Sequence, residues 1–242
     1  SPEYVTYPVN LLSNTFDKIF NSSKWQLVAN FSAHKHVRSE KDKISVEALI
    51  KNNVFGAIKL LNLCELDQPK YFFSVSTDKA ANPVNIMGAS KKIMEDVIMS
   101  YSTQYPITTA RFANVAFSNG SLLDGFISRI IKRQPISAPN DIKRYFVSPE
   151  EAGHICLMAC ILGESGDVFY PKLKPSQMLT FSEISDCFLE AIGYPMNTVK
   201  IKNSKGEEQE VTAIPELLDT ANITNQPLRI SVVHEDYKGK VY

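Results

Sequence analysis

The sequence predicts an α/β protein built on a doubly wound parallel sheet, with a smaller mixed lobe towards its C-terminal end. Segments of strand and helix character alternate over the first two thirds of the chain, which is the pattern of a parallel sheet covered by helices. Beyond Asn114 the predicted elements become shorter and more varied. A chain of 242 residues, of which 44% are hydrophobic, can bury a substantial core around such a sheet.

The elements of the first part alternate regularly. Compact apolar runs predict strands at 26–31, 71–76 and 107–112. Apolar positions at helical spacing predict helices at 44–66 and 85–105. The run at 71–76 ends in polar residues, as expected of an interior parallel strand whose C-terminal end opens into a site.

The second part contains smaller elements. Three helices are predicted, at 122–132, 149–162 and 181–192. Pro149 suits the first position of a helix because its missing N–H would have no partner there. Short strands are expected around Ile136 and at 145–147, and residues 201–210 are too polar for a core and predict a solvated loop.

Composition excludes several classes of protein. Lysine plus arginine equals aspartate plus glutamate at 26 each, so no overall field favours nucleic acid or an anionic membrane. No apolar run reaches the roughly 20 residues that a membrane helix needs, and the first residues lack a signal-peptide profile. We therefore expect no membrane contact in this segment.

The four cysteines form no CxxC pair and predict buried free thiols in a reducing, cytoplasmic compartment; they are Cys64, Cys156, Cys160 and Cys187. His34 and His36 have no carboxylate partner at a defined spacing. We therefore expect no metal site.

Two motifs carry chemistry. Thr77, Asp78 and Lys79 follow the predicted strand at 71–76, and ligands bind at the C-terminal ends of strands in doubly wound sheets. Met87 and Lys91 are four residues apart and therefore share one face of the next helix. The alternative is an ordinary strand-to-loop turn followed by a core methionine.

The run at 75–92 resembles the UDP-N-acetylglucosamine 4,6-dehydratases of bacterial polysaccharide biosynthesis, within the extended short-chain dehydrogenase/reductases. Three further blocks agree in order, at 32–37, 111–115 and 144–148. The resemblance is good over roughly 32–166. Methionine stands at position 87, where most of that superfamily has the tyrosine of a YxxxK motif, and some of these dehydratases share this departure.

The resemblance implies a Rossmann-like fold. Residues 1–115, with a return at 149–172, would form a partial NAD(P)-binding domain, and residues 116–242 mainly a substrate-binding lobe. Such a fold opens with a strand and a glycine-rich turn, but no GxxGxxG or GxGxxG occurs among the ten glycines. We therefore expect the N-terminal βαβ unit with that turn to precede Ser1, and the chain to be part of a longer protein.

The implied reaction is redox-neutral. Tightly bound NAD or NADP takes hydride from C4, water is eliminated across C5 and C6, and the hydride returns to C6. The resemblance assigns Asp78 as acid at C6, Lys79 as base at C5, Thr77 as hydrogen-bond partner of the C4 oxygen, and Lys91 as the residue holding the nicotinamide ribose. Because the Met87 thioether cannot accept a proton, we hypothesise that Asp78 or Lys79, directly or through water, replaces the tyrosine.

Binding roles follow from the same resemblance. The cofactor-binding set is Ser32, Ala33, Asn53, Lys91 and Asn114, and the substrate-binding set is Lys35, His36, Asn114 and Arg144. Arg144 would pair with the UDP diphosphate, for which a guanidinium fork is well shaped. The plainer alternatives are a surface salt bridge for Arg144 and a polar helix face for Asn53.

Other functions stay open at this point. A 4-epimerase or 4-ketoreductase of the same superfamily would eliminate no water and need no acid and base at C6 and C5. A non-catalytic nucleotide-sugar-binding module would explain the missing tyrosine and glycine turn. The resemblance also implies a UDP-sugar as partner, a homo-oligomer, and a full-length protein that a further segment could tether to a membrane.

Overall fold

A computed structural model describes residues 4–35, 40–132, 136, 138 and 141–193, and the backbone of 197–202 and 208–213. The chain forms two compact units. The first contains Ser1–Phe112 and Glu150–Pro171, and the second contains Ala113–Pro149 and Lys172–Tyr242. The assignment of a cofactor domain and a substrate lobe to parts of the chain stays a prediction.

The described strands are β1 (Leu27–Asn30), β2 (Tyr71–Thr77), β3 (Ile107–Phe112), β4 (Asn114–Val115), β5 (Lys143–Arg144), β6 (Phe146–Val147), β7 (Val168–Phe169), β8 (Leu179–Thr180), β9 (Asn197–Lys202) and β10 (Glu208–Ala213). The helices are α1 (Asn14–Phe20), α2 (Lys43–Ile50), α3 (Gly56–Leu66), α4 (Ile86–Ser100), α5 (Leu122–Ile131), α6 (Pro149–Leu162) and α7 (Phe181–Ala191).

The first unit is built on a parallel sheet with the strand order β1-β2-β3-β7. Its apolar core includes Phe72 and Ile107 from the sheet, Leu61 from α3, and Met94 and Ile98 from α4. Within the described residues β1 pairs with β2 alone and therefore forms one edge of the sheet. The C-terminal ends of parallel strands lie at the same edge, so β1, β2 and β3 deliver their following loops to one place.

The second unit has its own apolar core. Leu123 and Phe126 of α5 pack with Ile184 and Phe188 of α7. Four of its described strands form short parallel or antiparallel pairs of two residues each, β4 with β6 and β5 with β8, and β9 pairs with β10 over six residues.

Polar side chains determine where the helices begin. Asp42 accepts a hydrogen bond from the Ser45 N–H at the start of α2, and Asn85 accepts one from Gly88 at the start of α4. Thr180 and Glu183 form a reciprocal capping box at the start of α7.

The predicted helix at 44–66 contains an unpredicted interruption. Lys51–Phe55 forms a π-helical turn between α2 and α3. The spacing of apolar residues does not distinguish such a turn from an α-helix, but π-turns are frequent at functional sites.

The predicted helix at 85–105 is too long. Helix α4 ends at Ser100, with Tyr101 as its C-cap. Tyr105 precedes Pro106 and is buried, and a residue before proline is disfavoured in helical conformation.

The predicted loop at 201–210 is wrong at both of its ends, which are strands, and residues 203–207 lie outside the described residues. Strands β9 and β10 form an antiparallel ribbon in which Lys202 is opposite Glu208 and Lys200 is opposite Glu210. Polar composition alone therefore did not indicate a loop at these positions. Ile136 lies outside any strand, and residues 133–135 and 137 beside it lie outside the described residues.

All four cysteines are free thiols, but only three are buried as predicted. Cys64, Cys156 and Cys160 are buried, whereas Cys187 on α7 is exposed. In the described part of the chain, no helix combines the length and the apolar character needed to cross a bilayer. Likewise, no group of three or more potential metal ligands occurs there.

Candidate active site

The three polar residues after β2 form one connected cluster. The Thr77 hydroxyl donates a hydrogen bond to Asp78 Oδ1 at 3.0 Å, and Lys79 Nζ lies 3.5 Å from the same oxygen. The Asp78 and Lys79 side chains are 52% and 39% exposed. An acid, a base and a hydroxyl are therefore accessible together at the C-terminal end of a central strand.

This cluster is held in a short 3-10 turn, Asp78–Ala80, which begins where β2 ends. The Thr77 hydroxyl caps the turn by accepting a hydrogen bond from the Lys79 N–H at 3.4 Å. Ala80 is fully buried and anchors the turn. The positions of Asp78 and Lys79 are thus set by the backbone as well as by their side chains.

Gly88 brings the first turn of α4 against that cluster. A Cβ atom at position 88 would lie 2.8 Å from the Lys79 carbonyl oxygen and 3.2 Å from Asn85 Oδ1. Only a residue without a side chain allows this approach between the helix that carries Met87 and the turn that carries Lys79.

Replacing Gly88 with alanine is therefore expected to destabilise the fold by about 1–3 kcal/mol, because helix and turn must separate. The matched control is Gly153→Ala on α6, where an added Cβ would meet nothing within 4 Å. That change should stabilise the helix by roughly 0.5–1 kcal/mol. Urea unfolding of both variants measures the difference, and equal effects would contradict the close approach.

Met87 is buried, with 4% of its surface exposed. Its backbone N–H donates a hydrogen bond to Glu40 Oε1 at 2.8 Å. Glu40 thereby ties the segment after β1 to the start of α4. A buried thioether supplies no proton acceptor, so proton transfer at this site requires other groups.

Lys91 is also buried, with 4% exposure, and its Nζ donates a hydrogen bond to the Val75 carbonyl oxygen at 2.9 Å. Burial lowers the pKa of the Lys91 ammonium to about 8, and the negative charge of Glu95 opposes this decrease. Glu95 is itself bound by the Arg111 guanidinium, with Nε and Nη2 at 2.9 and 2.6 Å from its two oxygens.

Asn53, in the π-helical turn, is fully engaged in hydrogen bonds. Its Oδ1 accepts from the His34 N–H at 2.7 Å, and its Nδ2 donates to the His34 carbonyl and to Ser90 Oγ, each at 3.0 Å. The Ser90 hydroxyl donates in turn to the Met87 carbonyl. The network fastens the segment after β1 to both the π-turn and α4, which supports a positioning role for Asn53.

The segment after β1 carries further predicted binding residues. Ser32 and Ala33 are half-buried, and the Ser32 N–H donates to Asn30 Oδ1 at 3.0 Å. Lys35 is exposed. His36 lies outside the described residues, so its predicted substrate contact stays a prediction.

Asn114 and Arg144 belong to the second unit. Asn114 Nδ2 donates to the Tyr145 carbonyl at 3.2 Å, and Arg144 Nη1 donates to the Lys143 carbonyl at 2.8 Å. Arg144 is exposed. Their predicted contacts with cofactor and substrate stay predictions.

Sequence reasoning missed four residues that organise the site: Glu40, Ser90, Glu95 and Arg111. Ser90 and Arg111 lie in the runs at 75–92 and 111–115 that carry the resemblance, and Glu95 lies four residues after Lys91 on one helix. Glu40 had no such signal.

Comparison with known proteins adds to this geometry. Residues 12–207 match the sequence profile of a protein family that is described as polysaccharide biosynthesis protein. The capsular polysaccharide biosynthesis protein CapD of Staphylococcus aureus is 33% identical over 63% of this chain and 26% of its own length. An inverting UDP-N-acetylglucosamine 4,6-dehydratase of Campylobacter jejuni is 31% identical over 54% of this chain and 41% of its own length.

A solved structure shows the same fold. The UDP-glucuronic acid 4-epimerase of Bacillus cereus, in complex with UDP-glucuronic acid and NAD, superimposes with a TM-score of 0.66, covering 77% of this chain and 65% of the epimerase. At 16% identity, the likeness concerns the fold alone and confirms the predicted α/β class. The chain spans between a quarter and a half of the length of the curated relatives above.

Proposed function

The chain belongs to the polysaccharide biosynthesis protein family, and from this premise we propose that it carries the catalytic centre of a nucleotide-sugar 4,6-dehydratase. The proposed substrate is UDP-N-acetylglucosamine or a close relative, and the product is the 4-keto-6-deoxy sugar. The observation that carries the proposal is the connected Thr77, Asp78 and Lys79 cluster at the end of β2, packed against the first turn of α4.

The residues present fit the nicotinamide and ribose end of an NAD or NADP cofactor. Ser76 Oγ is buried near the end of β2 and has no hydrogen-bond partner among the described residues. The Lys91 ammonium has three N–H donors, of which one is donated to the Val75 carbonyl and another to Met94 Sδ at 3.6 Å. Lys91, Ser32 and Ala33 are the residues that would hold NAD or NADP, which when bound supplies the hydride acceptor and donor of the reaction.

In the proposed mechanism each member of the cluster acts at one atom of the sugar. The Thr77 hydroxyl donates a hydrogen bond to the C4 oxygen. Lys79 removes the C5 proton, which a C4 ketone has made acidic, and Asp78 protonates the C6 hydroxyl, which leaves as water. The shared contact at Asp78 Oδ1 holds the acid and the base within 3.5 Å of each other, suited to neighbouring carbons.

The first proton transfer, from the C4 hydroxyl, has no tyrosine to receive it. We propose that Asp78 or Lys79, directly or through water, receives this proton. Burial of Met87 supports the view that residue 87 fills space and does not take part in proton transfer.

Incubation of the full-length protein with the UDP-sugar and cofactor in deuterated water tests this function. A dehydratase is expected to give a 6-deoxy-4-keto product with deuterium at C5, because Lys79 removes that proton and solvent replaces it. A 4-epimerase or ketoreductase would leave C5 unlabelled. Binding of the UDP-sugar without turnover would favour a non-catalytic module, and either result would overturn the proposal.

The relatives include UDP-N-acetylglucosamine 4,6-dehydratases and UDP-glucose 4-epimerases at similar identity, so a 4-epimerase is a second candidate. The side-by-side acid and base favour the dehydratase, since an epimerase has no water to eliminate. A homo-oligomeric assembly and a cytoplasmic location are further parts of the proposal.

A further inference from the structure

A polar cluster buried between α4 and the sheet has no part in the mechanism above. Arg111 on β3 donates two hydrogen bonds to Glu95 on α4, one to each carboxylate oxygen. Glu95 is 3% exposed, and the Arg111 side chain is 24% exposed. Because its guanidinium contacts both oxygens of the carboxylate, Arg111 is the preferred partner of Glu95.

Lys91 lies one helical turn before Glu95, at the spacing where lysine and glutamate commonly form an ion pair. Among the residues that the structure describes, however, Lys91 forms no salt bridge, and its Nζ turns to the Val75 carbonyl. The register of the sheet places Arg111 opposite Ser76, the residue after Val75. Arg111 and Lys91 thus approach the same stretch of β2 from different elements.

Charged groups lie on several of the elements that pack against α4. Helix α4 contributes Glu95, and β3 contributes Arg111. The turn after β2 contributes Asp78 and Lys79, which pair with each other, and Glu40 binds the Met87 N–H at the start of α4. Glu95 is the group whose charge acts on the Lys91 ammonium.

We propose that Arg111 and Glu95 are positioning residues for Lys91: by occupying both oxygens of Glu95, Arg111 keeps Lys91 out of a direct ion pair with Glu95 at the active site. The catalytic significance of this inference rests on the proposed function. Methionine at position 87 has no titratable group, and a lysine without a direct ion-pair partner changes its charge at a lower pH than a paired one.

The two partners have opposite effects on Lys91, which gives a test that a merely structural role would not satisfy. Protein labelled with [ε-13C]lysine is titrated by NMR, with the Lys91 signal assigned by its loss in Lys91→Met. In Arg111→Met, Glu95 becomes available to Lys91, and the pKa of Lys91 is expected to rise by at least one pH unit. In Glu95→Gln, the attraction is removed and the charge of Arg111 is no longer balanced, so the pKa is expected to fall.

The matched control is Glu47→Gln. Glu47 and Lys51 form an ion pair at the same i, i+4 spacing, but both side chains are exposed, at 62% and 58%. This change should leave the Lys91 titration unchanged. Should Arg111→Met fail to fold, Arg111→Lys keeps the charge but can serve fewer carboxylate oxygens, and a smaller rise is expected.

A Lys91 titration that stays the same in the Arg111 and Glu95 variants, or that moves in the same direction in both, would overturn the proposal. The titration needs neither substrate nor cofactor. Absence of dehydratase activity would therefore refute the proposed function and leave this result intact.

Discussion

Replacing Asp78 with asparagine is expected to lower kcat for formation of the 4-keto-6-deoxy sugar by roughly 10²–10⁴-fold, the usual contribution of a general acid or base. Asparagine keeps the size of the side chain and an oxygen that can accept the Thr77 hydrogen bond. It cannot donate an acidic proton to the departing C6 hydroxyl. KM should change little, because the interaction is needed in the transition state and not for binding.

Stability and control measurements make this result specific. The Asp78 side chain is 52% exposed, so the substitution should alter the free energy of unfolding by less than about 0.5 kcal/mol. Asp96→Asn, at an exposed position on α4, should retain full activity. Unchanged turnover in Asp78→Asn would show that Asp78 neither protonates the leaving hydroxyl nor replaces the tyrosine.

The elements closest to the site were predictable because their sequence patterns are local. Interior parallel strands are continuous apolar runs, and the predicted strands at 71–76 and 107–112 agree with β2 and β3 to within one residue. Helix α6 begins at Pro149 and ends at Leu162 as expected. The π-turn within the predicted helix at 44–66 was not predictable, because the apolar spacing is compatible with either geometry.

The contacts that organise the site were not predictable in the same way. Glu40 and Met87 are 47 residues apart, and Asn53 and Ser90 are 37 apart, so their hydrogen bonds exist only once the sheet has formed. Whether Glu95 pairs with Lys91 or with Arg111 likewise depends on tertiary structure. From the sequence, Lys91 is the nearer partner, whereas in the fold Arg111 holds both carboxylate oxygens.

These contacts bear on the role of the buried methionine at position 87. A methionine in place of a catalytic tyrosine could indicate a degenerate site. Here its backbone is bound by Glu40 and Ser90, its helix is pressed against Lys79 by Gly88, and an acid and a base stand on the adjoining turn. This organisation around position 87 favours an active site in which proton transfer has moved to the preceding turn.

The second large effect is expected at Asn53. Replacing Asn53 with alanine should lower the free energy of unfolding by about 3 kcal/mol, because the His34 N–H and C=O and the Ser90 hydroxyl all lose a partner. Asn53 is 1% exposed, so water cannot readily replace the lost hydrogen bonds at its own position. Urea unfolding measures the loss of stability.

Asn52, the preceding residue in the same π-turn, provides a control that matches Asn53 in residue type and helical context. It is half-buried, and Asn52→Ala is expected to change the free energy of unfolding by less than about 0.5 kcal/mol. Amide hydrogen exchange locates the effect, because the His34 N–H should exchange faster in Asn53→Ala and at the native rate in Asn52→Ala. If both variants had equal stability and exchange, Asn53 would not be the residue that fastens the segment after β1. If exchange at His34 rises alone in Asn53→Ala, the position of the predicted binding residues Ser32, Ala33 and Lys35 depends on a single buried amide.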